Sequence, residues 1–148
     1  MTSTMTSAGP GRAVHGPSVA RLAARIAAGM LAVLIIFQVA LAAGAPLGRA
    51  AWGGAHSGLP TSLRLATAVP IAIYALGALM LLRHAGYSVG RFSPSTARRG
   101  TWVFAVVLGL SALANLASHS EWERFVMGPT ALILAALSVI IARGGGAS

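Results

Sequence analysis

The chain has 148 residues, 56% of them hydrophobic and only 9% charged, with a mean hydropathy of +0.78. Soluble domains carry about 25% charged residues, so too little polar surface exists here to face water and composition selects a membrane protein. The formal charge of +9 comes from eleven arginines and no lysine, set against two acids, Glu121 and Glu123. Cysteine is absent, which excludes disulfide scaffolds, thiol redox chemistry, iron–sulfur clusters and thiolate zinc sites.

The arginines punctuate apolar runs; they do not interleave with aromatics on a polar face. That is the pattern of membrane topology, so the expected partner is the lipid bilayer and not nucleic acid. Arginine in place of lysine, with many Ala and Gly, suits a GC-rich bacterial source.

The N-terminal segment is Ser, Thr, Gly and Pro without an apolar period, and residues 1–20 are expected to form a disordered cytoplasmic tail. Ser18 is positioned to cap the first helix, with Arg21 and Arg25 four apart on one face before the apolar run begins. Four spans then follow within a transmembrane domain over 21–143: about 26–45, 65–82, 101–117 and 125–142. Each has the length that a hydrocarbon core of about 30 Å requires and carries no internal charge. Residues 144–148 read as a flexible C-terminal stub.

A cleavable signal peptide is the rival reading of the first run, because Ala43-Gly44-Ala45 resembles a small-residue cleavage site. The run exceeds the ~7–15 apolar residues of such segments and lies behind a long leader, which favours an uncleaved span.

The expected fold is all-α, four transmembrane helices in an antiparallel bundle, with a longer outer loop between the first two. Arg12, Arg21, Arg25, Arg83, Arg91, Arg98, Arg99 and Arg143 fall on one side; Arg49, Arg64 and Arg124 fall on the other. The asymmetry places both termini in the cytoplasm and the protein in the cytoplasmic membrane, as a multi-pass protein. Arg64/Arg83 and Arg124/Arg143 bracket the second and fourth spans at equal spacing. Each of these spans has a proline near its outer end, Pro70 or Pro129, which gives a weak internal repeat.

Polar side chains inside the spans gather in the outer half. Gln38 lies late in the first span. Ser111 and Asn115 lie late in the third, one helical turn apart on one face, and Thr67 and Thr130 lie early in the second and fourth. Pro70 and Pro129 lack an N–H and release the carbonyls of Ala66 and Phe125, groups that need partners in lipid. These features predict a hydrogen-bonded layer centred on Gln38 and Asn115. Interhelical glue, worth about 1 kcal/mol or less per contact, is one reading; the floor of a small cavity open to the outside is the other. A direct Gln38–Asn115 hydrogen bond would favour glue, and a pocket lined by both would favour the cavity.

Above the layer sit two outer loops. The first, 46–64, holds Arg49, His56 and Arg64; the second holds His119, Glu121, Glu123 and Arg124. One arginine, most simply Arg49, is expected to pair with Glu121 or Glu123 and tie the hairpins together. Residues 46–52 can form a short interfacial helix ended by Gly53-Gly54, with Trp52 and Trp122 at the outer headgroup level and Trp102 at the inner one. No histidine lies mid-span, so a bis-histidine haem site has no ligands. His56 and His119 with a glutamate are the only candidate metal set, at a spacing that matches no ligand motif; no metal site or cofactor is expected. Arg83, Arg91, Arg98 and Arg99, with Tyr87 and Phe92, could meet anionic headgroups, though their role as topology determinants suffices. Ala28/Ala32, Ala40/Gly44/Gly48, Ala105/Gly109 and Ala131/Ala135 place small residues every fourth position, where helices can approach closely, within one chain or in a homo-oligomer or partner complex.

GAPLGRAAWGG, then LPTSLRLA at the second span, then N-x-x-S and ER-x-x-x-GP at the fourth, resemble a group of small four-span bacterial membrane proteins without an assigned activity. The resemblance covers about 37–143; it implies topology and transfers no site. The expected function is a non-enzymatic structural, accessory or partner-subunit role. The alternative is a small transporter or solute-binding protein using the outer polar layer, and third stands an enzyme acting on lipid or an envelope precursor through Glu121, Glu123, His56 and His119. Against coupled transport, no ionisable side chain lies within the membrane.

Overall fold

The computed structural model describes residues 17–48, 51 and 60–145, which form α1 (Pro17–Ala42), α2 (Thr61–Ala66), α3 (Ala68–His84), α4 (Pro94–Leu116), a π-helical turn (Glu123–Met127) and α5 (Gly128–Gly144). Grouped by hydropathy they make four continuous apolar helices: Ser18–Ala42, Thr61–His84, Pro94–Leu116 and Glu123–Gly144, of 25, 24, 23 and 22 residues. At about 1.5 Å per residue the shortest is some 33 Å long, enough to cross a hydrocarbon core of about 30 Å. The chain is therefore a multi-pass membrane protein.

The helices outrun the predicted spans at most ends. Pro17 to Arg25 continues α1 outward, so residues 17–20 are helical and Ser18 lies inside the first turn instead of capping it. Pro suits that first turn because its missing N–H would be unbonded there anyway. Pro94 does the same for α4, where the Ser93 side chain accepts from the Thr96 N–H at 3.1 Å. Ser93→Ala should cost about 1 kcal/mol, read as a lowered unfolding midpoint in detergent.

Two irregularities follow from proline. Pro70 cannot donate to Ala66, and the helix opens at Thr67 between α2 and α3; the fully buried Thr67 hydroxyl donates to the Arg64 carbonyl at 2.6 Å. Pro129 cannot donate to Phe125, and the turn before it widens, with the Gly128 N–H bonding to the Glu123 carbonyl five residues back.

α1 packs on α3 and α5, and α4 packs on the same two, which closes a ring of four spans. Arg64 at the start of the second span reaches Ala42 at the end of the first, and Tyr87 beyond the second reaches Arg21 near the start of the first, so these two run in opposite directions. Thr101 early in α4 reaches Met80 late in α3, and Gly128 at the start of α5 lies against Leu116 at the end of α4. One end of the ring therefore carries Gln38, Thr67, Asn115 and Glu123, and the other carries His84.

The core is small and tightly interleaved: Ala23, Ala24, Ala27 and Leu31 of α1 meet Leu81, Phe104, Leu108, Leu134, Ala135 and Ile141. Bulky residues point outward, with Val33 65%, Ile36 68% and Leu65 73% exposed. Such a surface is stable only in lipid, where helix association comes from close packing of small residues. The packing face of α1 is Ala20/Ala23/Ala24/Ala27, whereas Ala28 is half-buried and Ala32 is exposed. Of the small-residue faces expected from spacing, Ala131/Ala135 is buried. Gly109, by contrast, has open space where a Cβ would stand.

Candidate functional site

α1 stops at the Gln38 end through three residues. Gly44, at φ 90°, takes the left-handed conformation that favours glycine. The Gly44 N–H bonds to Leu41 O at 3.0 Å and the Ala45 N–H to Ala40 O at 3.0 Å. These are the two bonds of a Schellman cap, so Ala43-Gly44-Ala45 is accounted for as a helix stop. The carbonyl that such a cap leaves over, Ala42 O, accepts from Arg64 Nε at 2.9 Å, and the Arg64 guanidinium lies against Gly44. A cation there also complements the negative end of the helix dipole. Arg64 is thus engaged with a backbone carbonyl at the end of α1. Arg49, the simpler partner expected for Glu121 or Glu123, lies outside the described residues, as do His56, Trp52 and residue 50 of the expected interfacial helix.

Beyond the stop, four spans part around a cleft of about 130 Å³. Gln38 and Phe37 contribute from α1, Tyr74 from α3, Asn115 from α4, and Glu123 and Met127 from the π-helical turn; Ala51 reaches it from the first loop. A narrower extension of about 30 Å³ continues inward between Tyr74, Ser111, Asn115 and Thr130, down to Leu108 and Leu134. A water occupies about 30 Å³ of liquid, so the cleft has room for about four.

The polar groups on its walls divide into spent and unspent. Asn115 Nδ2 donates to Ser111 O at 2.9 Å and to Ser111 Oγ at 3.4 Å, which uses the one-turn spacing of the pair. The Thr130 hydroxyl donates back to Val126 O at 2.7 Å. The Glu123 carboxylate accepts from Ser118 Oγ, which in turn accepts from the Ser120 N–H at 3.1 Å. Gln38 Oε1, in contrast, is buried and has no hydrogen-bond partner. Gln38 and Asn115 do not bond to each other; they face the same cleft. An unpaired buried carbonyl costs about 1–3 kcal/mol.

The sequence-predicted residues therefore separate. Gln38, Ser111, Asn115 and Glu123 converge, together with Thr130, while Thr67 is buried at the helix break beside them. Glu121 and His119 are exposed outside the cleft, and among the described residues no three of His, Asp or Glu come together as metal ligands. Spacing arguments missed Tyr74, Phe37 and Met127. Tyr74 had a signal: a phenol in the interior of a span carries a polar tip that needs somewhere to go.

At the opposite end, the Arg21 guanidinium lies 4.7 Å from the Tyr87 ring centroid and Arg83 Nε donates to Phe92 O at 3.2 Å. Buried His84 Nε2 sits 3.4 Å from Ala142 O. These contacts join helix ends and loop. Comparison with protein-family models, with curated proteins and with solved structures gave no match, and nothing in them bears on a family assignment.

Proposed function

We propose that this chain is a non-enzymatic binding protein of the cytoplasmic membrane, holding a small polar group in the cleft at the Gln38 end. The observation that carries the reading is the cavity of about 130 Å³ whose walls bring together Gln38 of α1, Tyr74 of α3 and Asn115 of α4. Interhelical glue would have the two amides bond across the gap, whereas the Asn115 amide donates within its own helix, to Ser111.

The orientation follows from arginine. Arg21, Arg25, Arg83, Arg91, Arg98, Arg99 and Arg143 lie at or beyond the His84 end, and Arg64 and Arg124 lie at the Gln38 end. Positive charge stays in the cytoplasm, so the cleft opens to the extracytoplasmic side with both termini inside.

The absence of cysteine gives a clean test. Asn115→Cys should react with a membrane-impermeant thiol reagent added to intact cells, whereas Ala135→Cys in the packed core should not. Failure of Asn115→Cys to react in intact cells and in detergent alike would remove the water-filled cleft and the reading with it. Reaction only in opened cells would reverse the orientation.

A further inference from the structure

Positive charge at the His84 end has no counterpart within the chain. The seven arginines at or beyond that end meet no acidic side chain. The only two acids, Glu121 and Glu123, belong to the opposite end, and among the described residues none of the seven is ion-paired. Most of their neutralising charge must come from outside the protein.

One of them is held in place by the fold. α3 ends in a second Schellman cap, with the Gly86 N–H bonded to Arg83 O at 3.2 Å, the Tyr87 N–H bonded to Leu82 O at 3.0 Å, and Gly86 at φ 90°. The cap turns the chain back toward α1, so that Tyr87 packs on the core and its ring lies under the Arg21 guanidinium, 4.7 Å from centroid to Cζ. The Tyr87 hydroxyl also donates to Arg21 O at 3.4 Å. A guanidinium stacked on a ring keeps its N–H edge available to an anion. Arg25 follows one turn later, also exposed, about 6 Å farther into the membrane.

We infer that the Arg21–Arg25 pair of α1 is the seat of an anionic phospholipid, its phosphate between the two guanidinium groups and its acyl chains along the lipid-facing side of α1. Depth selects lipid over other polyanions. Leu22 and Ile26, the neighbours of the pair, are 53% and 48% exposed and belong to the apolar outer surface. Arg25 therefore stands where hydrocarbon begins, at the level of headgroup phosphates, whereas an acidic protein or a nucleic acid stays on the water side of those headgroups. Charge selects the anionic class. A zwitterionic headgroup brings its own cation and leaves the arginines uncompensated. Phosphatidylglycerol brings a phosphate alone, which guanidinium groups bind through paired N–H···O bonds. Topology asks only for positive charge at this end; a stacked, oriented Arg21 is what a binding seat adds.

The test uses the full chain, stripped of lipid in a neutral detergent and titrated with phosphatidylglycerol or phosphatidylcholine of the same acyl chains, with bound lipid counted by native mass spectrometry. Phosphatidylglycerol should bind more tightly by about fivefold or more, the scale set by one arginine near an anionic headgroup. Arg21→Gln and Arg25→Gln should each lower its affinity by about fivefold and leave phosphatidylcholine unchanged. Arg124→Gln removes the same charge from an exposed position at the other end and should change neither. Tyr87→Leu keeps every charge and an apolar side chain at the cap but releases Arg21; it should weaken phosphatidylglycerol about two- to fivefold, the scale of an exposed cation–π contact. Equal affinities for the two lipids, or equal losses from Arg124→Gln and Arg21→Gln, would overturn the inference, since net charge would then account for all binding. Unchanged affinity in Tyr87→Leu would remove the seat built on Arg21. Displacement of the lipid by inorganic phosphate would mean a site for the free anion and would overturn the inference as well.

Discussion

Gly77→Leu should be the most damaging single change in the bundle. Gly77 is buried where α3 crosses α4, and a Cβ there would fall inside the van der Waals envelope of the Phe104 ring tip, overlapping its Cζ, Cε1 and Cε2 together. The ring is itself a core side chain among Leu81, Leu108 and Leu134; with Gly77 it also borders an apolar groove of about 250 Å³, so relief of the overlap means moving the ring out of its core packing and into that groove. Overpacking of this kind costs about 1–3 kcal/mol for a modest insertion; Gly77→Ala should fall in that range and Gly77→Leu above it. Because helices in lipid are held by close approach instead of by a solvent drive, forcing α3 off α4 forfeits the contacts of the whole crossing. The measurement is unfolding in detergent titrated with SDS. Gly77→Ala with Phe104→Leu should lose less than the sum of the two single changes, by a coupling of about 0.5–3 kcal/mol. Strict additivity would mean that the two side chains do not compete for the same space.

The architecture was legible because lipid simplifies the code. Four apolar runs of spanning length, each flanked by arginine, leave little choice of fold. The amide side chains Gln38 and Asn115, both late in outward-running spans, marked the end where a site would lie. Ser111 and Asn115 share a face because they are one turn apart, and the structure joins them by a hydrogen bond. What the sequence hid was long-range or local to the backbone. Arg64 finds a carbonyl that the cap of α1 leaves over, a partner twenty-two positions away that no spacing rule indicates. Pro70 and Pro129 announced disturbed helices, but whether each becomes a break or a widened turn depends on neighbours: the Thr67 hydroxyl in one case, the bond from Gly128 to Glu123 in the other. The face of α1 was ambiguous because alanine recurs along it in two series. Val33, Ile36 and Val39 decide it by taking the lipid side.

Gln38→Leu separates the two meanings a polar residue can have inside a membrane. If Gln38 served as interhelical glue, leucine would remove a hydrogen bond and lower stability, by an amount near the ~0.6 kcal/mol typical of such contacts. Its buried oxygen has no bond to lose. Replacing it with an apolar group of similar length removes a desolvated, unpaired carbonyl, whose burden is about 1–3 kcal/mol. The empty protein should therefore gain stability, by about 1 kcal/mol or more, seen as a raised midpoint in the same SDS titration. A loss of stability in Gln38→Leu would return Gln38 to the role of glue. Asn115→Leu supplies the internal contrast: its amide nitrogen does bond, to Ser111 O and Oγ, so that substitution should not share the gain.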